Sequence, residues 1–131
     1  MIALDTNVLL RFLIEDDADQ TRRAAAFINQ KLDEDEEFFV SDIVLCEMVW
    51  VLKRIYRKTR REIVKILRVL LRADGLRFLA LTSLYNALTS YKNGRGDFAD
   101  YIIKEHAKAA GCKTVATFDK ALIGEAEFIS I

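Results

Sequence analysis

Met1-Ile2-Ala3-Leu4-Asp5-Thr6-Asn7-Val8-Leu9-Leu10 opens the chain, and its reading decides the fold. The apolar triplet Ile2 to Leu4 runs into a carboxylate, then small polar residues, then a second apolar run. Physically this is a short buried strand ending at Asp5, followed by a helix that starts at Thr6 or Asn7. In open α/β sheets, ligands bind beyond the carboxyl ends of the strands, which makes Asp5 a candidate for chemistry. A helix N-terminus also favours a nearby negative charge, so Asp5 reads equally well as a plain cap. The segment alone does not separate the two. Glu47, Asp100 and Asp119 interrupt apolar runs in the same way, and that repetition points to a site.

The 131 residues are near the commonest size for one domain, so residues 1–131 are read as a single unit. Hydrophobic residues make up 52% and charged residues 31%, which excludes a disordered chain. No run approaches the roughly 20 apolar residues needed to cross a bilayer. Asp5 and Arg11 break any signal-peptide pattern at the N-terminus, so a cytoplasmic location is expected. Cys46 and Cys112 lie in or beside apolar segments and are expected to be free, packed thiols. No Cys/His spacing suggests zinc.

Formal net charge is zero, but the charge is unevenly spread. Lys53 to Arg72 carries nine Lys/Arg against the single acid Glu62, while Glu15 to Asp19 and Asp33 to Glu37 are acidic. The basic run is either a solvated helix face or part of a nucleic-acid track, with Arg60, Arg61 and Arg68 as its candidates. The acidic run Asp33 to Glu37 reads as a solvated loop, with nothing local to neutralise it.

Further along, helical spacing predicts a helix from Asn7 to Ile14 and a second one, capped by Asp17 or Asp19, through Leu32. Phe38 to Val40 is the second expected strand. Ser41 or Asp42 then caps a helix to about Tyr56, in which apolar residues on all sides surround Glu47. A helix apolar all round is expected to be buried all round. Glu47 would then need a cation, unless it turns to solvent. Thr59-Arg60-Arg61-Glu62 matches a capping box and opens an amphipathic helix that Asp74-Gly75 ends. Leu76 to Leu81 reads as a third strand, Thr82 or Ser83 as the start of a helix to Lys92, and Asn93 to Gly96 as a flexible loop. Asp97 is a natural N-cap for a helix to Ala110, with Asp100 one turn in and His106 in a structural or half-exposed position. Thr114 to Thr117 is a fourth strand with Asp119 just beyond it, and Phe128 to Ile131 a short last one.

This alternation argues for an α/β fold, a mainly parallel sheet with helices on both faces. In a parallel sheet the strand carboxyl ends share one edge. Asp5 and Asp119 fall at such ends, and the helices carrying Glu47 and Asp100 begin there. Acids from four distant segments can therefore meet in one cleft. Two like charges ~4 Å apart repel by about 4 kcal/mol at an effective dielectric of ~20, so such a cluster needs protons or cations. Oxygen-only donors select Mg²⁺ or Mn²⁺ over zinc, and a carboxylate-held metal is usual equipment for phosphodiester hydrolysis.

Four pieces stand out: Leu4-Asp5-Thr6-Asn7, Val40-Ser41-Asp42-Ile43-Val44-Leu45-Cys46-Glu47, Asp97-Phe98-Ala99-Asp100-Tyr101-Ile102-Ile103 and Val115-Ala116-Thr117-Phe118-Asp119. In that order and spacing they resemble the PIN-domain family, especially VapC-type toxins of toxin–antitoxin pairs. The resemblance covers essentially the whole chain. It implies a PIN-like three-layer α/β/α domain with metal-dependent ribonuclease activity. Asp5, Glu47, Asp100 and Asp119 would be the acidic, metal-holding set, with Asp97 a less certain member. Thr6, Asn7, Ser41 and Thr117 match polar positions that would orient the acids or bound water. A homodimer and a small antitoxin partner are also implied, with Trp50, Val51 and Tyr56 as candidates for the dimer interface. Trp50 also reads as ordinary core.

Two other classes remain open on the sequence. A non-catalytic RNA-binding or regulatory module of the same fold would keep the basic face without cleaving. A receiver-like Mg²⁺-binding signalling domain needs an acidic pair after the first strand and an Asp after the third. This chain offers Asp5 alone and Leu79-Ala80-Leu81.

Overall fold

Alternating strands and helices carry through the whole chain, and the computed structural model describes residues 1–131. Strand β1 (Ile2–Ala3) leads into helices α1 (Thr6–Leu13) and α2 (Ala18–Asp33). Strand β2 (Phe38–Phe39) leads into α3 (Asp42–Arg54) and α4 (Arg60–Arg72), and β3 (Leu76–Arg77) into α5 (Leu81–Asn93) and α6 (Phe98–Ala109). Strand β4 (Val115–Thr117), a 3₁₀ turn at Lys120–Leu122 and β5 (Phe128–Ser130) complete the chain. Every strand pairing is parallel, as the apolar strands and helical crossovers require. The strands form a three-stranded sheet in the order β1-β2-β3 and a separate two-stranded sheet of β4 and β5. The result is a three-layer α/β/α fold, and no helix is long and apolar enough to cross a membrane.

Local chemistry explains most element boundaries. Asp17 caps α2 by accepting from the Gln20 amide at 3.0 Å, and Ser41 caps α3 by accepting from the Val44 amide at 3.3 Å. Thr59 and Glu62 form the expected reciprocal capping box on α4. Phe38, Val40, Leu45, Met48, Leu52 and Leu67 are fully buried, in one core that also takes in the inner faces of α5 and α6 through Leu84, Leu88, Phe98 and Tyr101.

Several expectations are corrected by the packing. The third strand is only Leu76–Arg77, because β2 offers partners at Phe38 and Phe39 alone. Leu79 is left exposed, and α5 starts at Leu81 with no side-chain cap rather than at Thr82 or Ser83. Helix α3 is not buried all round: Ile43 is 71% exposed and Trp50 56% exposed. Only the stripe of Leu45, Met48, Val49 and Leu52 packs inward, since a domain this small cannot surround a helix. The acidic loop is partly neutralised, mostly from a distance in sequence: Glu34 pairs with nearby Lys31 at 2.8 Å, but Glu36 with the N-terminal amine at 2.7 Å and Glu37 with Arg77. His106 is a surface residue whose Nε2 meets Asp42 Oδ2 at 2.7 Å, tying α6 to the start of α3.

The thiols also differ from expectation. Both are free, but Cys112 is exposed and only Cys46 is part-buried. Burial pushes the Cys46 thiol up to about 11, with Asp42 and Glu47 adding to the shift. Because the thiolate is the reactive form, a thiol reagent at pH 8 should modify Cys112 readily and Cys46 hardly at all. Cys46 labelling should then rise about tenfold per pH unit towards its own range. Equal labelling rates at pH 8, read by intact-mass spectrometry, would contradict this assignment.

Candidate active site

The parallel register sets up the site. Two residues beyond the Ala3–Phe39 pair, Asp5 comes level with Ser41, so both follow strand ends at the same sheet edge. Asp5 sits at the N-cap of α1 in extended conformation, and its Oδ1 accepts from the Thr6 amide at 2.8 Å. The side chain is therefore a cap, and it remains exposed to solvent. Thr6 is buried and donates its hydroxyl to Glu47 Oε2 at 2.8 Å. That single bond joins the end of β1 to the middle of α3. Glu47 itself faces solvent rather than the core.

Glu47 and Asp97 line one groove of about 730 Å³ between α3 and the start of α6, with Trp50, Lys53 and Arg54 on its walls. Asp97 Oδ1 accepts from Lys53 Nζ at 2.7 Å, so this acid already has a cationic partner. Asp100 is half-buried one turn into α6, and its Oδ2 accepts from the Asp97 amide at 2.8 Å. Burial pushes the Asp100 carboxyl up from its ordinary value. The negative charges of Asp97, Asp119 and Glu125 push it the same way, against the Asp97 amide bond. Asp119 follows β4 and caps the 3₁₀ turn, its Oδ1 accepting from the Ala121 amide at 2.9 Å. Thr117 Oγ1 accepts from the Asp119 amide at 3.0 Å, which fixes how the chain leaves the strand.

The structure thus gathers Asp97, Asp100 and Asp119 into one electrostatic neighbourhood and couples Glu47 to Thr6. No group of three or more His, Cys, Asp or Glu side chains is arranged to hold a metal ion as the chain stands. The donor chemistry nonetheless suits a hard divalent cation. The acids offer only oxygen, and half-buried Asp100 feels other carboxylates that disfavour its charged form. Of the polar support residues, Thr6 touches an acid directly, Thr117 shapes the Asp119 turn and Ser41 acts as the α3 cap. Asn7 lines a different groove of about 490 Å³ between α1 and α2, with Arg11 and Phe27.

Two features of the site carry no signal in the sequence. Glu125 lies in the turn before β5, accepts from the Tyr101 hydroxyl at 2.7 Å and adds charge near Asp100. Burial and that bond push the Tyr101 hydroxyl up to about 12. The loop Asn93 to Gly96, read as flexible, is pinned: the Gly96 amide donates to Tyr101 at 3.0 Å, and Arg95 donates to the Ile123 carbonyl at 2.9 Å. Arg60 also has contacts the sequence does not signal: its Nη1 donates to the Tyr91 and Gly96 carbonyls at 2.8 and 2.9 Å, while the side chain still lines a basic groove with Arg61, Lys65 and Arg68.

The fold and this acidic edge define the class: the chain belongs to the PIN-domain family, whose model, described as "PIN domain", matches residues 2–126. Membership sets aside the receiver-like alternative, and β3 ends at Arg77 with no acid after it. Within that class, the chain is similar to a VapC ribonuclease of Aquifex aeolicus (strain VF5). The two are 27% identical over 120 residues, covering 92% of this chain and 88% of the relative.

Proposed function

We propose that this protein is a metal-dependent endoribonuclease, the toxin of a toxin–antitoxin pair. The observation that carries the reading is half-buried Asp100 set among Asp97, Asp119 and Glu125 in a PIN-domain chain. The similarity to a VapC ribonuclease supports RNA as the substrate. Asp5, Glu47, Asp100 and Asp119 would hold Mg²⁺ or Mn²⁺, with Asp97 set apart by its Lys53 partner. Held by those carboxylates, a divalent cation would supply Lewis acidity for a water nucleophile and for negative charge developing on the phosphate. The protein's own share is orientation. Thr6 fixes one oxygen of Glu47, and the Asp97 amide fixes one oxygen of Asp100. Nothing in this scheme requires a covalent nucleophile. Purified protein should cleave a mixed RNA substrate with Mg²⁺ or Mn²⁺ and stop in EDTA. Cleavage that survives EDTA overturns the metal-dependent reading.

RNA binding is assigned to the groove of about 560 Å³ lined by Arg61, Lys65, Arg68 and Lys92, which Arg60 borders from its backbone-bound position. Phosphate contacts carry most non-specific affinity and its salt dependence. Arg61→Ala and Arg68→Ala should each weaken binding across all RNA sequences. Each should also lower the slope of log affinity against log salt by about 0.7 for every single-strand phosphate it no longer neutralises. An unchanged slope in the double variant removes this groove from the track.

The homodimer is assigned to the face around Trp50. Of the other candidates, Val51 packs against the core and the Tyr56 hydroxyl is engaged by Arg11 and Asp16. Aromatic residues are enriched at interface cores, and of the three candidates Trp50 is the exposed one. Sedimentation should give a dimer at micromolar concentration that Trp50→Lys shifts towards monomer; a wild-type monomer would end the idea. A small antitoxin would then inhibit by setting a cationic side chain against the carboxylates. A non-catalytic RNA-binding module of the same fold is the second reading, favoured by the lack of three converged metal-holding side chains. It predicts RNA binding without cleavage in the same assay.

A further inference from the structure

We propose that Arg60 is a positioning residue that fixes the carboxylate of Asp100 through one shared peptide group. This rests on the reading of Asp100 as part of the nuclease site. The Gly96 carbonyl and the Asp97 amide belong to the same peptide bond. Arg60 Nη1 holds its oxygen at 2.9 Å, and Asp100 Oδ2 accepts from its nitrogen at 2.8 Å. A peptide unit is planar, so anchoring the oxygen sets where the N–H points. Arg60 therefore decides the direction of the hydrogen bond that orients Asp100. The bonds also run in a chain, guanidinium to carbonyl and amide to carboxylate, in which each bond polarises the next.

The rest of the loop is built to keep that peptide in place. Arg60 Nη1 also donates to the Tyr91 carbonyl at 2.8 Å, and its guanidinium lies 4.2 Å from the centre of the buried Tyr91 ring. Tyr91 packs edge-on against Phe98 in the first turn of α6, with ring centres 5.8 Å apart. From the opposite side, Tyr101 accepts from the Gly96 amide at 3.0 Å and is itself held by Glu125. Gly96 is buried, and a Cβ there would come within 2.5 Å of Leu122 and 3.1 Å of Asp100 Oδ2. The loop between α5 and α6 is thus locked by α4 on one side and by the Glu125 turn on the other. A lysine cannot reproduce this, because it offers a point charge in place of a planar fork with several fixed donors.

The assignment separates Arg60 from its neighbour Arg61, although both begin α4. Arg60→Lys and Arg60→Gln are compared with Arg61→Ala and wild type in three measurements. They are amide exchange at Asp97 by NMR, the Mn²⁺ midpoint of thermal stabilisation, and kcat and KM on RNA at several salt concentrations. With the fold intact by circular dichroism, both Arg60 variants should exchange the Asp97 amide at least about tenfold faster. They should need more Mn²⁺ and lose kcat on the order of a hundredfold, with KM and its salt slope little changed. Arg61→Ala should show the reverse, a raised KM and a flatter slope. Unchanged Asp97 exchange in both Arg60 variants overturns the proposal, as does a loss confined to KM and salt slope. If wild type cleaves no RNA, the nuclease reading fails, while amide exchange and the Mn²⁺ midpoint still decide the role of Arg60.

Discussion

Asp5→Asn should abolish RNA cleavage, a loss of more than about a hundredfold, and leave the fold intact. The reason is that the two roles of Asp5 separate chemically. As a cap it needs only an oxygen to accept from the Thr6 amide at 2.8 Å, and the amide oxygen of Asn does that nearly as well. As part of a cation-holding set it needs a negative charge, which Asn lacks. Metal then reports the difference without any RNA. Mn²⁺ at a hundred times its Kd should stabilise wild type by about 2.7 kcal/mol by mass action, and the variant far less. Circular dichroism, melting with and without Mn²⁺, and a gel assay on mixed RNA are the measurements. Retained cleavage in the variant, or equal metal stabilisation, removes Asp5 from the site.

Gly94→Ala should be the most damaging small substitution in the loop that delivers Asp97 and Asp100. A Cβ there would come within 2.0 Å of the Tyr101 hydroxyl, 2.4 Å of Glu125 Oε1 and 2.8 Å of the Ser90 carbonyl. Ser90 O is backbone inside α5 and cannot move aside cheaply, so Tyr101 and Glu125 must separate or the loop must shift. Overpacking of this kind costs about 1–3 kcal/mol, and each kcal/mol lowers the melting temperature of a domain this size by roughly 4 °C. The same displacement moves the peptide that Arg60 and Asp100 share, so cleavage should fall in proportion beyond the stability loss. A variant that melts and cleaves like wild type would show that the loop is not tightly packed.

The elements of this protein are legible locally because their causes are local. The Thr59–Glu62 box, the Ser41 and Asp17 caps and the run into Asp5 each act within a few residues, and each is found where its side chains imply. Strand lengths are less legible. Leu76 to Leu81 has the composition of a strand, but a strand lasts only as long as its neighbour offers partners, and β2 is short. The exposure of Trp50 and Ile43 is hidden for a related reason: apolar residues mark what could be buried, and the size of the domain decides what is.

The acids show the same division. Sequence by itself determined that Asp5, Glu47, Asp100 and Asp119 each interrupt an apolar run, with Asp5 and Asp119 just beyond strand ends and Glu47 and Asp100 inside helices that begin at strand or loop ends. Tertiary structure alone decided their company. It bonded Thr6 to Glu47, gave Asp97 to Lys53 and brought Glu125 near Asp100. It also divided a basic helix, turning Arg60 Nη1 onto two backbone carbonyls at the border of the open groove that Arg61 and Arg68 line. No periodicity predicts that division, because hydrogen bonds between residues 31 and 36 positions apart depend on where packing puts the carbonyls.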